Sequence, residues 1–355
     1  MLSTLAAITQ AGFDVHVAAP TEGSLAEALR FCPVTLVPWH CRQENGERWP
    51  LEKLRDDLCG MIQRLRPTLV HANSLSTARI LGPVAASSKT RSIGHLRDII
   101  KLSAQSVRDL NKNDRLLAVS SATRDFHIEQ GLDASKCFVV YNGVDLDQFQ
   151  PRPRTNSVHR ELGLPNEVLL LLTVGQIGLR KATDVAMEAI QIAFSKVPNL
   201  HWLIAGERSS NKSESHLFEQ ELRIQSQSPS LNGRVHFLGG RTDVAELMNE
   251  CCLLVHAARQ EPLGRVFLEA AASGLPVVAT SVGGTREIFP TDEDGASIVS
   301  PNSPEALAEA MVALATDEER RKQMSASGRR RAEEGFNVES ASARLIEQYR
   351  AILDV

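Results

Sequence analysis

A chain of 355 residues that is 43% hydrophobic is long enough to bury two cores, which sets an expectation of two domains of roughly 150 to 200 residues each. Its 39 basic and 43 acidic residues leave a formal net charge of -4, without the basic excess of a dedicated nucleic-acid binder. The six cysteines form no C-x-x-C pair or His/Cys cluster, so neither zinc nor a disulfide framework is suggested and a reducing, cytoplasmic setting is expected.

The opening segment LSTLAAITQAG has helical composition but neither the basic start nor the apolar length of a signal peptide, so secretion is not expected. The longest apolar stretch, 168–174, falls far short of the roughly 20 residues that cross a bilayer. Helical patterns then alternate with β-rich runs: DVHVAAP (14–20), VTLVPW (34–39), TLVHANS (68–74), RSIGHL (91–96), RLLAVSS (115–121) and CFVVYNG (137–143). This rhythm predicts βαβ units and a parallel sheet.

Between Gln150 and Pro165 the rhythm breaks in a polar segment with three prolines, which reads as a domain linker. The alternation restarts with LLLLTVG (169–175), HWLIAG (201–206), RVHFLGG (234–240), CLLVHAA (252–258), LPVVATS (275–281) and GASIVS (295–300). These continuous apolar runs predict strands buried on both faces of a second doubly wound sheet. The tail predicts helix from Ser303 through Glu334, with Arg329, Arg330 and Arg331 read as a solvated helix end, and again from Val338.

In such sheets ligands bind beyond the carboxyl ends of the strands, which directs attention to the loops. In HAARQEPLGRVFLEAAASGLPVVATSVGGTREI a strand is expected to end near Ala258 and a helix to begin near Gly264. The N–H groups of Leu263, Gly264 and Arg265 would then face outward unpaired at the positive end of the helix dipole, an arrangement suited to a phosphate. Gly264 would let an anion approach without a Cβ in the way. Glu261 and Glu269 flank this turn, and a carboxylate accepts hydrogen bonds from paired sugar or ribose hydroxyls. The alternative is that Glu269 caps or pairs locally and Glu261 is solvated.

This segment resembles the retaining glycosyltransferase family four. The family's E-x7-E motif stands as Glu261-PLGRVFL-Glu269, followed by A-x-G-x-P-V-V-A-T at Ala272 to Thr280 and G-G-x-x-E at Gly283 to Glu287. The similarity continues at VVYNGVDLDQFQP (139–151), VGQIGLRKATD (174–184), LIAGE (203–207) and VHFLGGRTDVAELM (235–248), with weaker motifs before Val139.

The resemblance implies two Rossmann-like domains of the GT-B type, α/β and doubly wound, facing across a cleft. Residues 1–150 would form the acceptor-side domain, 151–337 the donor-binding domain, and the last helix, about 338–355, would pack back on the first. It implies transfer of a sugar from a nucleoside-diphosphate sugar to a saccharide or lipid-linked acceptor, with retention, in polysaccharide or glycolipid biosynthesis. No metal or other cofactor is expected, and the fold is shared with nucleotide-sugar epimerases and could also serve a non-catalytic binding subunit.

Residue by residue, the resemblance implies that Glu269 binds the ribose, that Glu261 contacts the transferred sugar, and that Gly283 and Gly284 wall the donor pocket. Arg180 and Lys181, in the loop that follows Gly175, would meet the diphosphate, with Lys181 carrying more of the charge because Gln176 stands where the family often has Arg. Ala182 stands where Gly is common. GHLRDI (94–99) matches the segment with an active-site histidine, His95, and His71 and Asn73 match a turn on the acceptor side, for which a purely structural role is an equal alternative.

Asp145-Leu146-Asp147 spells the D-x-D of metal-dependent transferases, but it lies just before the linker and is not assigned a metal. Lys89, Arg91, Arg97 and Lys101 form a basic stretch that either touches a membrane surface peripherally, on the inner face, or is solvated and structural. Family members usually begin with an apolar strand and a Gly-Gly loop, whereas Met1 opens inside the helix expected next; a reading frame that starts further upstream is the expectation.

Overall fold

The computed structural model describes residues 2–354. Among the described residues, twelve strands form three parallel sheets. The first six are β1 (His16–Ala19), β2 (Thr35–Pro38), β3 (Leu69–Ala72), β4 (Arg91–Leu96), β5 (Arg115–Ala118) and β6 (Cys137–Val139). The rest are β7 (Leu169–Val174), β8 (Leu200–Ala205), β9 (Val235–Gly239), β10 (Leu253–His256), β11 (Val277–Thr280) and β12 (Ala296–Val299).

The chain divides into two compact units, one made of 1–143 with 338–355 and the other of 144–337. The crossing at 143/144 precedes the linker that the prolines suggest, because Val144 already belongs to the second unit: its N–H donates to Phe336 O at 2.8 Å. The linker is also less irregular than its composition suggests, since Ser157–Leu162 folds as a short helix.

In the second unit the strand order is β12-β11-β10-β7-β8-β9. Connections leave β7 toward one side and return at β10 on the other, so the order reverses between these two neighbours, and a crevice opens at their carboxyl ends. The core follows from composition: β10 and β11 are buried at every position, and Trp202 of β8 is fully buried while its indole N–H donates to Thr173 Oγ1 of β7 at 2.9 Å.

In the first unit, alternation alone suggested one sheet. The structure has two: β1 pairs only with β2, and β3-β4-β5-β6 form a separate four-stranded sheet. Side-chain packing joins them, with Phe13 and Val15 ahead of β1 in one apolar cluster with Leu69 of β3, Ile93 and Leu117. The helix Val338–Leu353 belongs here because Leu345, Tyr349 and Ile352 recur at helical spacing and are buried in that same cluster.

The tail contains two helices before this one, Pro304–Thr316 and Glu318–Gly335, where composition suggested one. Asp317 divides them by accepting the Arg320 N–H at 2.9 Å, an N-cap bond that starts the second. The triple arginine is not simply solvated. Arg329 donates to Ala272 O at 2.7 Å and Phe149 O at 2.9 Å, and Arg331 donates to Ile288 O and Glu287 O.

Candidate active site

The loops after β7 and β10, at the switch point of the second unit, carry most of the residues that the sequence singles out. After β7 the chain approaches its neighbour so closely that a Cβ on Gly206 would lie 1.8 Å from Gly175 O. A 3-10 turn, Leu179–Lys181, follows, and Ala182 takes φ 50 and ψ 47, the left-handed region that favours glycine, before the helix Thr183–Lys196 begins. That conformation accounts for the glycine common at this position.

After β10, Arg259 fastens the two loops together. Its guanidinium makes two bonds to Asp184, 3.0 and 2.7 Å, its Nη1 donates to Leu179 O, and its backbone N–H donates to Arg180 O. Arg180 itself is exposed and reaches Gln260 O at 3.3 Å. Lys181 is thereby turned inward, where its Nζ lies 2.5 Å from Glu261 Oε2.

Glu261 is 6% exposed and is the hub of the site. His256, the last residue of β10, places Nε2 2.9 Å from the same Oε2. Oε1 has no partner among the described residues and remains an acceptor. Burial alone would raise the Glu261 carboxyl, but the His256 hydrogen bond and the Lys181 ammonium override it and hold the group at about 2. Burial keeps His256 below the usual histidine value, so it serves as a neutral donor.

The next helix, Arg265–Ala272, starts at Gly264, as the sequence suggests. The reason for the glycine differs from the one expected. Gly264 has φ 92, and a Cβ there would lie 2.3 Å from the Phe267 ring, so the position excludes side chains on internal grounds. Phe267 in turn packs edge-on against His256, with centroids 4.8 Å apart. The N–H groups of Leu263, Gly264 and Arg265 have no acceptor among the described residues. Glu269 lies one turn into the helix with its side chain 16% exposed; burial raises its carboxyl above the ordinary value, against the opposing pull of Arg265 at 3.2 Å.

The Gly-Gly turn closes the loop: the Gly284 N–H donates to Glu261 O at 3.1 Å, and Gly283, exposed with φ 50, precedes it. Thus Gly175, Lys181, Glu261, Leu263, Gly264, Gly284 and the helix bearing Arg265 and Glu269 converge. Asp145 of the D-x-D sequence accepts the Asp147 and Gln148 N–H groups, a local turn. Among the described residues no group of three His, Cys, Asp or Glu side chains is placed to hold a metal.

His95, His71 and Asn73 form a separate cluster in the first unit. His71 lies in β3 and His95 in β4, adjacent parallel strands in which His71 pairs with Ile93. His71 Nε2 lies 3.2 Å from His95 Nδ1, and Tyr349 Oη lies 2.7 Å from His71 Nδ1. Arg97 is not available to a membrane surface, because its guanidinium donates to Asn73 O, Asn73 Oδ1 and Asn142 Oδ1. Asn73 is therefore occupied as the partner of Arg97.

Sequence reading missed His256, Arg259, Asp184, Arg97 and Tyr349. Only His256 carried a usable signal, as a polar residue closing an otherwise apolar strand at the switch point.

Two parallel-sheet units, the second with an acid-lined helix start at its strand reversal, define an α/β protein of GT-B type with two Rossmann-like units. Solved structures bear this out: Anabaena Alr3699/HepE in complex with UDP and glucose has a TM-score of 0.84, 21% identity, and coverage of 98% of this chain and 94% of that one. A glycosyltransferase from Rickettsia africae ESF-5 gives a TM-score of 0.84 at 18% identity, covering 99% and 93%. The family model Glycosyl transferases group 1 matches residues 155–331, and the model Glycosyltransferase Family 4 matches residues 1–148. The chain belongs to glycosyltransferase family four.

Among curated relatives, the lipopolysaccharide core biosynthesis mannosyltransferase LpsB of Rhizobium meliloti (strain 1021) is 26% identical over 317 residues, 89% of this chain and 79% of that protein. The D-inositol 3-phosphate glycosyltransferase of Streptomyces griseus is 29% identical over 262 residues, 69% of this chain and 55% of that protein. The chain thus spans about half the length of the inositol-phosphate enzymes it matches.

Proposed function

We propose that the chain is a retaining glycosyltransferase that moves a sugar from a nucleoside-diphosphate sugar to an acceptor hydroxyl. The observation that carries this reading is the convergence at the β7/β10 switch point: three N–H groups without acceptors at a helix start, an inward lysine, and two largely buried carboxylates. The N–H groups and Lys181 suit a diphosphate, Glu269 suits the paired hydroxyls of a ribose, and Glu261 offers Oε1 to a hydroxyl of the transferred sugar. As the bond from the anomeric carbon to the diphosphate oxygen breaks, negative charge grows on the leaving group where Lys181 stabilises it. The acceptor oxygen bonds to that carbon on the same face, and its proton passes to the departing diphosphate.

His95 would contact the sugar, and His71 supports it. Lysine supplies the positive charge in this scheme, so the reaction needs no metal. Retention and a role in polysaccharide or glycolipid synthesis are this reading's finer parts, supported by the family resemblance and by relatives such as the mannosyltransferase. A cytoplasmic reaction, at the inner membrane face when the acceptor is lipid-linked, suits six unpaired cysteines and the lack of any helix long and apolar enough to cross a membrane among the described residues.

A thermal-shift screen against UDP-, GDP- and ADP-sugars tests the reading, because a ligand that binds only the folded state raises Tm. One class should stabilise the protein, and Glu269→Ala should abolish the shift. No shift with any of them would remove the assignment, and a donor altered or released without an acceptor would replace transfer by epimerisation.

A further inference from the structure

The hydrogen bonds around His95 determine where its proton sits. A guanidinium can only donate, and Arg97 Nη2 lies 3.3 Å from His95 Nδ1, so that nitrogen bears a lone pair. His71 Nε2 shares the same Nδ1 at 3.2 Å and must therefore be an N–H. A neutral imidazole carries one such proton, which leaves His71 Nδ1 as the acceptor of the Tyr349 hydroxyl at 2.7 Å.

The ring geometry agrees. The two imidazole planes differ by 13° with centroids 5.3 Å apart, so the rings lie edge to edge and the in-plane lone pair of one meets the N–H of the other. Burial, reinforced by Arg97, lowers both histidines, His71 to about 3, and both stay neutral at physiological pH. Burial raises the Tyr349 phenol, which keeps the proton it donates. With Nδ1 accepting, the proton of His95 is on Nε2, an atom that is buried and has no hydrogen-bond partner among the described residues.

We infer that Tyr349 is a positioning residue: it locks His71 as an Nε2–H donor, which joins Arg97 in holding His95 as the Nε2–H tautomer with that N–H as a donor for a substrate oxygen. The identity of that oxygen as one on the transferred sugar rests on the proposed glycosyl transfer; the proton arrangement does not. Tyr349 reaches this cluster from the last helix, so the terminal segment takes part in the chemistry of the first unit as well as in its packing.

Two-bond 1H–15N spectra of the full chain labelled with 15N-histidine test the arrangement, with His71 and His95 signals assigned by their loss in His71→Gln and His95→Gln. Between pH 6 and 8 both rings should show a protonated Nε2 and an unprotonated Nδ1. A proton on Nδ1 of His95, or an imidazolium, overturns the inference in the wild type alone, whatever the variants do. Tyr349→Phe keeps the ring and removes the hydroxyl; it should give mixed tautomers at His71, with His95 still held by Arg97, and lower kcat about fivefold with the donor KM unchanged. A fall in kcat with both tautomers unchanged would make the tyrosine merely structural and overturn its positioning role. Spectra as expected in a wild type that transfers no sugar would support the proton arrangement and remove the glycosyl-transfer reading instead.

Discussion

The two polar clusters of this molecule solve opposite problems. Around Glu261 a buried carboxylate is kept charged by an ammonium and a neutral imidazole, whereas around His95 two buried imidazoles are kept neutral by burial and a neighbouring guanidinium. Charge is kept on the acid in the first cluster and kept off the imidazoles in the second. The proposed diphosphate site would need fixed charges, while the proposed hydrogen-bond donor needs one defined proton.

The sharpest way to break the contrast is Glu261→Gln, which keeps the shape and removes the charge. Lys181 then loses its acceptor in a largely buried setting, and stability should fall by about 3 kcal/mol in urea titrations, with transfer rates reduced on the order of a thousandfold. The wild-type carboxyl sits at about 2 in the folded chain against an ordinary 4.5, so its stabilisation is full above pH 4.5 and lost as pH falls toward 2. An unchanged acid-unfolding curve in the glutamine variant would contradict that account.

A smaller effect is expected at Gly264→Ala, where the positive φ and the Phe267 ring oppose any side chain. A loss of about 2–3 kcal/mol, read by thermal or urea unfolding, should accompany weaker donor binding, because Phe267 is displaced against His256. An alanine variant as stable as wild type would show that the ring yields freely.

Next in size, Glu269→Gln should weaken donor binding about thirtyfold by calorimetry, as charged hydrogen bonds to a diol become neutral ones. Burial raises the wild-type carboxyl, so donor affinity should fall with acidification at a pH above the ordinary carboxylate range, and the glutamine variant should lack that dependence. A wild type whose affinity ignores pH down to 4 would place the donor elsewhere.

In the first unit the sign is the same but the window lies higher. His71 has a folded value of about 3 against 6.5, so the unfolded chain binds more protons between those limits, and stability should fall as pH drops from 6.5 toward 3. His71→Gln should make that slope shallower, with the remainder supplied by the other buried histidines whose values are lowered, His95 and His256 among them. The smallest expected effect is none: EDTA should leave the transfer rate unchanged, and a loss restored by a divalent cation would overturn the metal-free scheme.

The second unit was the more legible. Its strands are buried on both faces and announce themselves as apolar runs, and its phosphate-suited helix start is local, so Glu261, Gly264 and Glu269 could be read from one segment. What escaped is set by distance along the chain. Tyr349 meets His71 across 278 positions, and Arg259 meets Asp184 across 75, pairings that no local pattern records. Arg97 looked like surface charge because its acceptors, Asn73 and Asn142, are neutral and remote in sequence. The division of the first unit's sheets was equally hidden, since alternation of strands and helices does not say which strand edges meet.

Arg329 gives one last consequence. A single guanidinium grips the final carbonyl of the helix that bears Glu269 and the Phe149 carbonyl, a few residues past the point where the chain crosses from one unit to the other. Strain on the crossing peptide therefore reaches the end of the helix that bears Glu269 through one shared clasp, and a chain without that arginine would let the two move independently.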